Sequence, residues 1–461
     1  MTSALTETAA HTGQVLDSLQ EPPEPARLQG ALRSLALRGA VWTILGHGGS
    51  QVIRLAGNII LARLLFPGAF GIMGTVFAVM IGITMFSDIG LGPGIIQNRR
   101  GEDPAFLRTA WTIQALRGLL LWVVCFPLAL AVYWSNGERL FLWLVPVAGL
   151  TCMISGFNSV SLITYKRRLN FGRVTLLYFV SNTVGTAAMV GCALVYPSVW
   201  VLLVQAFVSA SVVLLGSFLF VPEVPMGWQW DPESVTSLVR FGRWIFVATA
   251  LTFLVSRLDI FLLGSTAGMA VLGVYSTAKN FSLAALDALG VLASTVLLPV
   301  YSRLAERGAV ALRAQTIKMR AALLCFFLPP FWALAIGGPW LIGMLYDDRY
   351  QGAGWMMQIL AAGGVATAVS ATVDQVLLAQ GDSFRYMLQL ASRLSLQIAG
   401  MAVGAHFWGV PGFIVGLAVA DVLNYPILMG LVRKYGAWMP GLDAAAYAVS
   451  AAVIGAGWMF L

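Results

Sequence analysis

The chain has 461 residues, of which 59% are hydrophobic and 10% charged, with a mean hydropathy of +0.81. A soluble domain carries roughly 25% charged residues, so this composition argues against a water-soluble protein and for many membrane crossings. The formal net charge of +8 is spread over alternate loops, which argues for a topology signal and against a nucleic-acid surface.

Residues 1–26 are rich in Ser, Thr, Glu, Pro and Gln and are expected to be disordered. They hold no basic segment followed by an apolar stretch, so no cleaved signal peptide is expected. Residues 27–38 place Leu28, Ala31, Leu32 and Leu35 on one helical face, as in a short helix lying on the cytoplasmic surface. Residues 1–36 thus read as a cytoplasmic tail.

A span needs about 20 apolar residues, and about thirteen such runs follow one another. They lie near 38–62, 69–91, 109–134, 140–164, 172–195, 198–221, 243–264, 272–299, 319–337, 353–379, 385–407, 411–432 and 442–461. The fold class is therefore an all-α polytopic membrane protein of about 12–14 transmembrane helices. Basic residues fill every second loop: Arg99, Arg100 and Arg108; Lys166, Arg167, Arg168 and Arg173; Arg240 and Arg243; Arg303, Arg307, Arg313, Lys318 and Arg320; Arg433 and Lys434. The alternate loops are poor in basic residues, with Arg139 and Arg349 among the few. This asymmetry places the N-terminus in the cytoplasm.

Within the first run, His47, Gln51, Arg54 and Asn58 are spaced four, three and four apart, which stacks them on one helical face. A mid-span arginine costs about 2.5–3.5 kcal/mol against lipid, so the stripe is expected to face a polar interior. His47 could also titrate near neutral pH and suit proton coupling. In the seventh run Thr249, Thr252, Ser256 and Asp259 form a similar stripe. A shift of about 202 residues superposes Arg38 on Arg240, Trp42 on Trp244, Leu61 on Leu263 and Gly71 on Gly273. The halves read as parallel repeats: an N-lobe over 37–222, a cytoplasmic linker over 223–242 with Pro225 and Pro232, and a C-lobe over 243–435. An additional C-terminal helix occupies 436–461. Two six-helix lobes of this kind leave a V-shaped central cavity between them.

Further ionisable residues fall inside spans. Asp88, Arg117 and Asp421 lie near span ends, within reach of the interface by snorkelling. Arg257, Asp259, Lys279, Asp287 and Asp374 lie deeper. One reading of these is interhelical ion pairing; the other is that Arg54, Arg257 and Lys279 converge on an anionic cargo while a carboxylate couples an ion. Polar faces at Thr151, Ser155 and Asn158, and at Thr367, Ser370 and Asp374, suit helix adhesion or a hydrated cavity. Pro329 and Pro330 mark an expected kink. Cys125, Cys152, Cys192 and Cys325 fall singly in four spans and read as buried small hydrophobes without metal or disulfide partners. No nucleotide-binding loop and no metal-ligand set is present, so no cofactor and no metal are expected.

Leu61-Ala62-Arg63-Leu64-Leu65 with Pro67-Gly68-Ala69-Phe70-Gly71 resembles the end of the first span of Wzx-type oligosaccharide flippases. Ser87-Asp88-Ile89-Gly90-Leu91-Gly92 followed by Gln97 resembles the end of their second. Ser256-Arg257-Leu258-Asp259 and Leu272-Gly273-Val274-Tyr275-Ser276-Thr277-Ala278-Lys279-Asn280 resemble their seventh and eighth. These belong to the multidrug/oligosaccharidyl-lipid/polysaccharide exporter superfamily. The resemblance implies a non-enzymatic flippase of the bacterial inner membrane that moves an undecaprenyl-pyrophosphate-linked oligosaccharide by alternating access. It implies that cationic cavity residues handle the pyrophosphate or acidic sugars, for which Arg54, Arg257 and Lys279 could serve. With the stripe, the cavity candidates are His47, Gln51, Arg54, Asn58, Arg257 and Lys279; the ion-coupling candidates are Asp259, Asp287 and Asp374; the candidate partners are a polysaccharide polymerase and a chain-length regulator. The alternatives are a drug or metabolite exporter of the same superfamily, a membrane enzyme acting on lipid-linked glycans with Asp347 and Asp348 as its carboxylates, and a scaffold with an inert cavity.

Overall fold

The computed structural model describes residues 46, 48–87, 91–97, 100–168, 171–220, 227–292, 301, 309–436 and 438–460. His47, Asp88, Arg99, Arg303 and Arg307, and the surface helix expected over 27–38, lie outside the described residues. Helices, joined by short turns, make up the described chain, with no strand among those residues.

Helix α1 covers 48–64. It is followed by α2 (Pro67–Phe86), the short α3 (Leu91–Gln97), α4 (Pro104–Asn136), α5 (Phe141–Gly156), α6 (Ser161–Arg167), α7 (Phe171–Val195) and α8 (Val201–Leu219). The second half holds α9 (Pro232–Leu292), α10 (Ala309–Leu345), α11 (Gly352–Ala371), the short α12 (Gln375–Ala379), α13 (Ser383–Val432) and α14 (Pro440–Phe460). Local chemistry sets the ends. Prolines open α2 and α4 at positions where a missing N–H costs nothing. Asp103 caps α4 by accepting from Ala105 N at 3.0 Å, and Gly137 closes it in the left-handed region at φ 75.

Nine helices among the described residues are long and apolar enough to cross a membrane, ten if α5 and α6, bent by 60°, count as one span. Two of the nine are hairpins. In α9 the chain breaks at Gly268 (φ 83, ψ 166), and in α13 at Gly409 (φ 60, ψ −136), both outside helical geometry. Lys279 Nζ reaches Ser256 O at 3.1 Å, although a continuous helix would separate residues 23 apart by about 35 Å. Each hairpin therefore crosses twice, and with α1 the described elements account for about thirteen crossings.

Small residues let these arms touch. A Cβ on Gly404 would lie 1.9 Å from Gly412 O, and one on Gly416 would lie 1.9 Å from Gly400 O. Glycines four apart thus line both arms of α13, the arrangement that brings membrane helices to backbone contact. Between the halves, α2 packs along α9, and Gly71 meets Gly273 there.

Several sequence expectations change. The polar stretch assigned to the linker is partly helix, because α9 starts at Pro232. Before it, Gln229 N donates to Thr112 Oγ1 at 3.1 Å and Asp231 N to Thr109 Oγ1 at 3.2 Å, tying this segment to α4. Pro329 and Pro330, where a kink is expected, lie inside α10 together with Pro339. Pro339 cannot donate to Ala335 O, and the Trp458 indole N–H of α14 takes that carbonyl at 2.8 Å. Arg320, read as a loop charge, is 1% exposed and ion-paired at 2.6 Å to Asp443, itself fully buried, in α14. Of the cysteines only Cys125 is fully buried; Cys192 and Cys325 are exposed on the apolar surface.

Candidate functional site

One cavity of about 890 Å³ runs into the molecule. Among the described residues its walls come from α1, α2, α4, α5, α6, α7 and α8, and in the second half from α9. The asymmetry follows from where the polar stripes point. In α1, Arg54 and Asn58 line the cavity, and Arg54 donates to Gln51 on the preceding turn. In α5, Thr151, Ser155 and Asn158 line it as well.

The matching stripe of α9 turns the other way. Ser256 Oγ donates back to Thr252 O at 2.8 Å, and Asp259 accepts from Tyr275 and Lys279 across the hairpin. Asp259 is 4% exposed, so Lys279 compensates a charge that would otherwise be buried alone. The stripe of α11 also stays inside. Thr367 Oγ1 donates to Asp421 Oδ2 at 3.1 Å, and Asp421 is paired with Arg393 at 2.9 Å and accepts from Gln397 at 3.2 Å. Asp421 therefore does not snorkel; it joins α11 to both arms of α13.

Of the sequence-selected residues, Arg54, Asn58, Arg257, Lys279 and Asp287 share the cavity wall. Gln51 stands beside them through Arg54. Asp259 lies behind Lys279, and Asp374 is outside the lining, accepting from Gln375 Nε2 at 3.2 Å next to α12. His47 lies outside the described residues. Arg54 stands within electrostatic reach of Arg257 and of Asp287, across the two halves. The Nε of Arg257 is buried without a hydrogen-bond partner among the described residues.

Two cavity cations escaped the sequence reading. Arg117 was assigned to the interface, yet it lines the cavity and donates to Ser87 Oγ at 2.9 Å and to Thr84 O at 2.7 Å. Lys166 was assigned to a basic loop, yet it also lines the cavity, 5.7 Å from the centre of the Tyr178 ring. The bend between α5 and α6 carries Lys166 back toward the bundle. Gln114 holds that bend by donating to Gly156 O at 3.1 Å and Asn158 O at 2.9 Å. Among the described lining residues, Arg54, Arg117, Lys166, Arg257 and Lys279 face a single carboxylate, Asp287. Amides and hydroxyls of Asn58, Asn158, Asn182, Gln205 and Ser209 complete the polar surface. Such a wall can hold an anion and hydrogen-bond a hydroxylated group.

The many membrane-length helices around a basic cavity define a multi-pass membrane protein. Its backbone is similar to that of the lipid II flippase MurJ in an inward closed conformation, with a TM-score of 0.71, 12% identity, and 91% of this chain and 93% of that one covered. It is also similar to an inward-facing multidrug-resistance transporter of the MATE family, with a TM-score of 0.67, 13% identity, and coverage of 89% and 96%. The chain belongs to the polysaccharide biosynthesis protein family, which matches residues 60–354. It is 21% identical over 430 residues to the lipopolysaccharide biosynthesis protein WzxC of Escherichia coli strain K12, covering 89% of this chain and 85% of that one. It is 25% identical over 304 residues to the succinoglycan biosynthesis transport protein ExoT of Rhizobium meliloti strain 1021. That match covers 65% of this chain and spans only 60% of the Rhizobium protein's length.

Proposed function

We propose that the protein flips an undecaprenyl-pyrophosphate-linked oligosaccharide across the bacterial inner membrane by alternating access. The observation that carries this reading is the cavity wall, in which Arg54 and Arg257 from the two halves face one space beside a single described carboxylate. A pyrophosphate is an anion with several acceptor oxygens, and guanidinium groups match it by charge and by fork geometry. The amide and hydroxyl wall suits the sugar, and the prenyl chain stays among lipids. A cationic drug fits this balance poorly.

Sidedness follows from charge. The basic loops mark the cytoplasmic end, with the N-terminus on that side. The cavity lining extends to Met85, Lys166 and Asp287 toward that end. In this reading the lobes are 37–222 and 243–435, joined by the linker over 223–242, and helix 436–461 is appended to the second. Asp287 is the coupling candidate best placed to feel both cargo and ion, because it alone of the three lines the cavity.

The test is complementation. Arg54→Ala, Arg257→Ala and the double variant are expressed in a flippase-null strain, and surface polysaccharide is measured at matched protein level. The expected result is strong loss in the single variants and none made by the double variant. Full polysaccharide from the double variant would overturn the reading.

A further inference from the structure

At the end of the molecule away from the basic loops, α1 and α10 both terminate. A helix C-terminus exposes unpaired carbonyls and carries about half a negative charge. Each of these two ends is met by an arginine from the other half of the chain. Arg349 Nη2 donates to Ala62 O at 3.2 Å and to Arg63 O at 3.4 Å, in the last turn of α1. Arg63 Nη2 donates to Leu345 O at 3.4 Å, the last residue of α10. Asp347 orients the Arg349 fork, accepting from its Nε at 2.9 Å and also from its Nη2.

Below the arginines lies an aromatic seal. Phe70 stands edge-on to Tyr350 at 6.1 Å, Tyr346 lies 5.3 Å from Tyr350, and Tyr350 is fully buried. The Tyr350 hydroxyl is buried with no hydrogen-bond partner among the described residues, a cost that favours separation of this packing. Phe70 of this seal also lines the cavity, with Met73 one turn further in.

Basic residues are scarce at this end. Its loops hold Arg139 and Arg349, and α1 ends with Arg63. The preference for basic residues on the opposite side works against arginines here. Two of these three make the reciprocal contacts just described.

We propose that Arg63 and Arg349 form a reciprocal latch that keeps this end of the cavity shut, and that the latch must part for cargo to leave. The contacts are solvent-exposed and individually weak, as suits a closure that reverses in every cycle. The proposal rests on the alternating-access reading, but its test does not depend on the cargo.

Ser155, an exposed cavity residue, is replaced by Cys in a full-length chain whose four native cysteines are changed to Ala. A membrane-impermeant maleimide is applied to the outer face of intact cells. Labelling is expected to rise several-fold in Arg349→Ala and in Arg63→Ala, with only partial return in Arg349→Lys, which lacks the fork. Unchanged labelling in both alanine variants would overturn the latch. If either fails to reach the membrane, Asp347→Asn decides: it keeps Arg349 but removes its orienting carboxylate, and labelling equal to the parent overturns the proposal. A latch response alongside full polysaccharide from the Arg54/Arg257 double variant would instead refute the cargo reading alone.

Discussion

Gly71 and Gly273 meet backbone to backbone in a reciprocal contact. A Cβ on Gly71 would lie 1.9 Å from Met269 O, and one on Gly273 would lie 1.8 Å from Pro67 O. Both pairings obey the same shift of about 202 residues that aligns the two halves, since Pro67 corresponds to Met269. Thr75 Oγ1 donates to Gly71 O at 3.2 Å, and its counterpart Thr277 Oγ1 donates to Gly273 O at 3.0 Å. Related residues touch each other only on the axis that relates them, so this contact lies on the pseudo-twofold axis.

Gly71→Ala and Gly273→Ala should each force α2 from α9, because the obstructing atoms are backbone carbonyls that cannot rotate away. The expected cost is about 1–3 kcal/mol. Thermal unfolding in detergent should show a drop of several degrees. Gly430→Ala in α13, where nothing lies within 4 Å, should be neutral or slightly stabilising.

The Arg320–Asp443 pair should dominate attachment of α14. Asp443 also accepts from Tyr425 Oη at 2.9 Å, and Arg320 Nε donates to Thr372 Oγ1 at 3.1 Å. Asp443→Leu alone should cost about 3–5 kcal/mol by leaving a buried guanidinium unpaired. The Arg320→Met/Asp443→Leu double variant should recover much of that loss, measured as thermal midpoint and as protease resistance of α14.

Lys279 and Asp259 should behave as a couple. Lys279→Ala should lower stability and polysaccharide output together, since Asp259 is then buried without its counter-charge. Adding Asp259→Asn should restore folding. Restored output as well would show that the pair is structural; folded but inactive protein would show that the lysine is needed for transport.

Asp382 offers a pH signature. It accepts from Tyr435 Oη, from Arg385 N at 3.0 Å and from the Arg385 guanidinium, which hold its carboxyl down at about 2. An unperturbed aspartate titrates near about 3.9. The stabilisation is therefore present above the unfolded value and is lost as pH falls toward about 2. The gap in thermal midpoint between parent and Asp382→Asn should stay constant from neutral pH to about 5 and then narrow on acidification.

Much of this architecture is legible in the chain. Run length and hydropathy mark the spans, because bilayer thickness imposes one length on them. The repeat shows in Gly71 and Gly273 because two backbones meeting on an axis exclude any side chain there. Arg54 stands out because a lone arginine amid aliphatic residues has a high cost in lipid. Lys166 and Arg320 show the limit of that logic. Both sit in basic segments whose charge already has a topological explanation, so nothing local separates a loop cation from a cavity wall or a buried pair.

The sequence by itself determined the membrane class, the pairing of the halves and the presence of a basic interior. These depend on composition, period and spacing, which are properties of one strand of chain. Only the tertiary structure decided which way each polar face turns. The α1 stripe meets open space, whereas the α9 stripe meets Tyr275 and Lys279 after the reversal at Gly268. Helical spacing puts residues on a common face, but what that face meets depends on the helices packed against it.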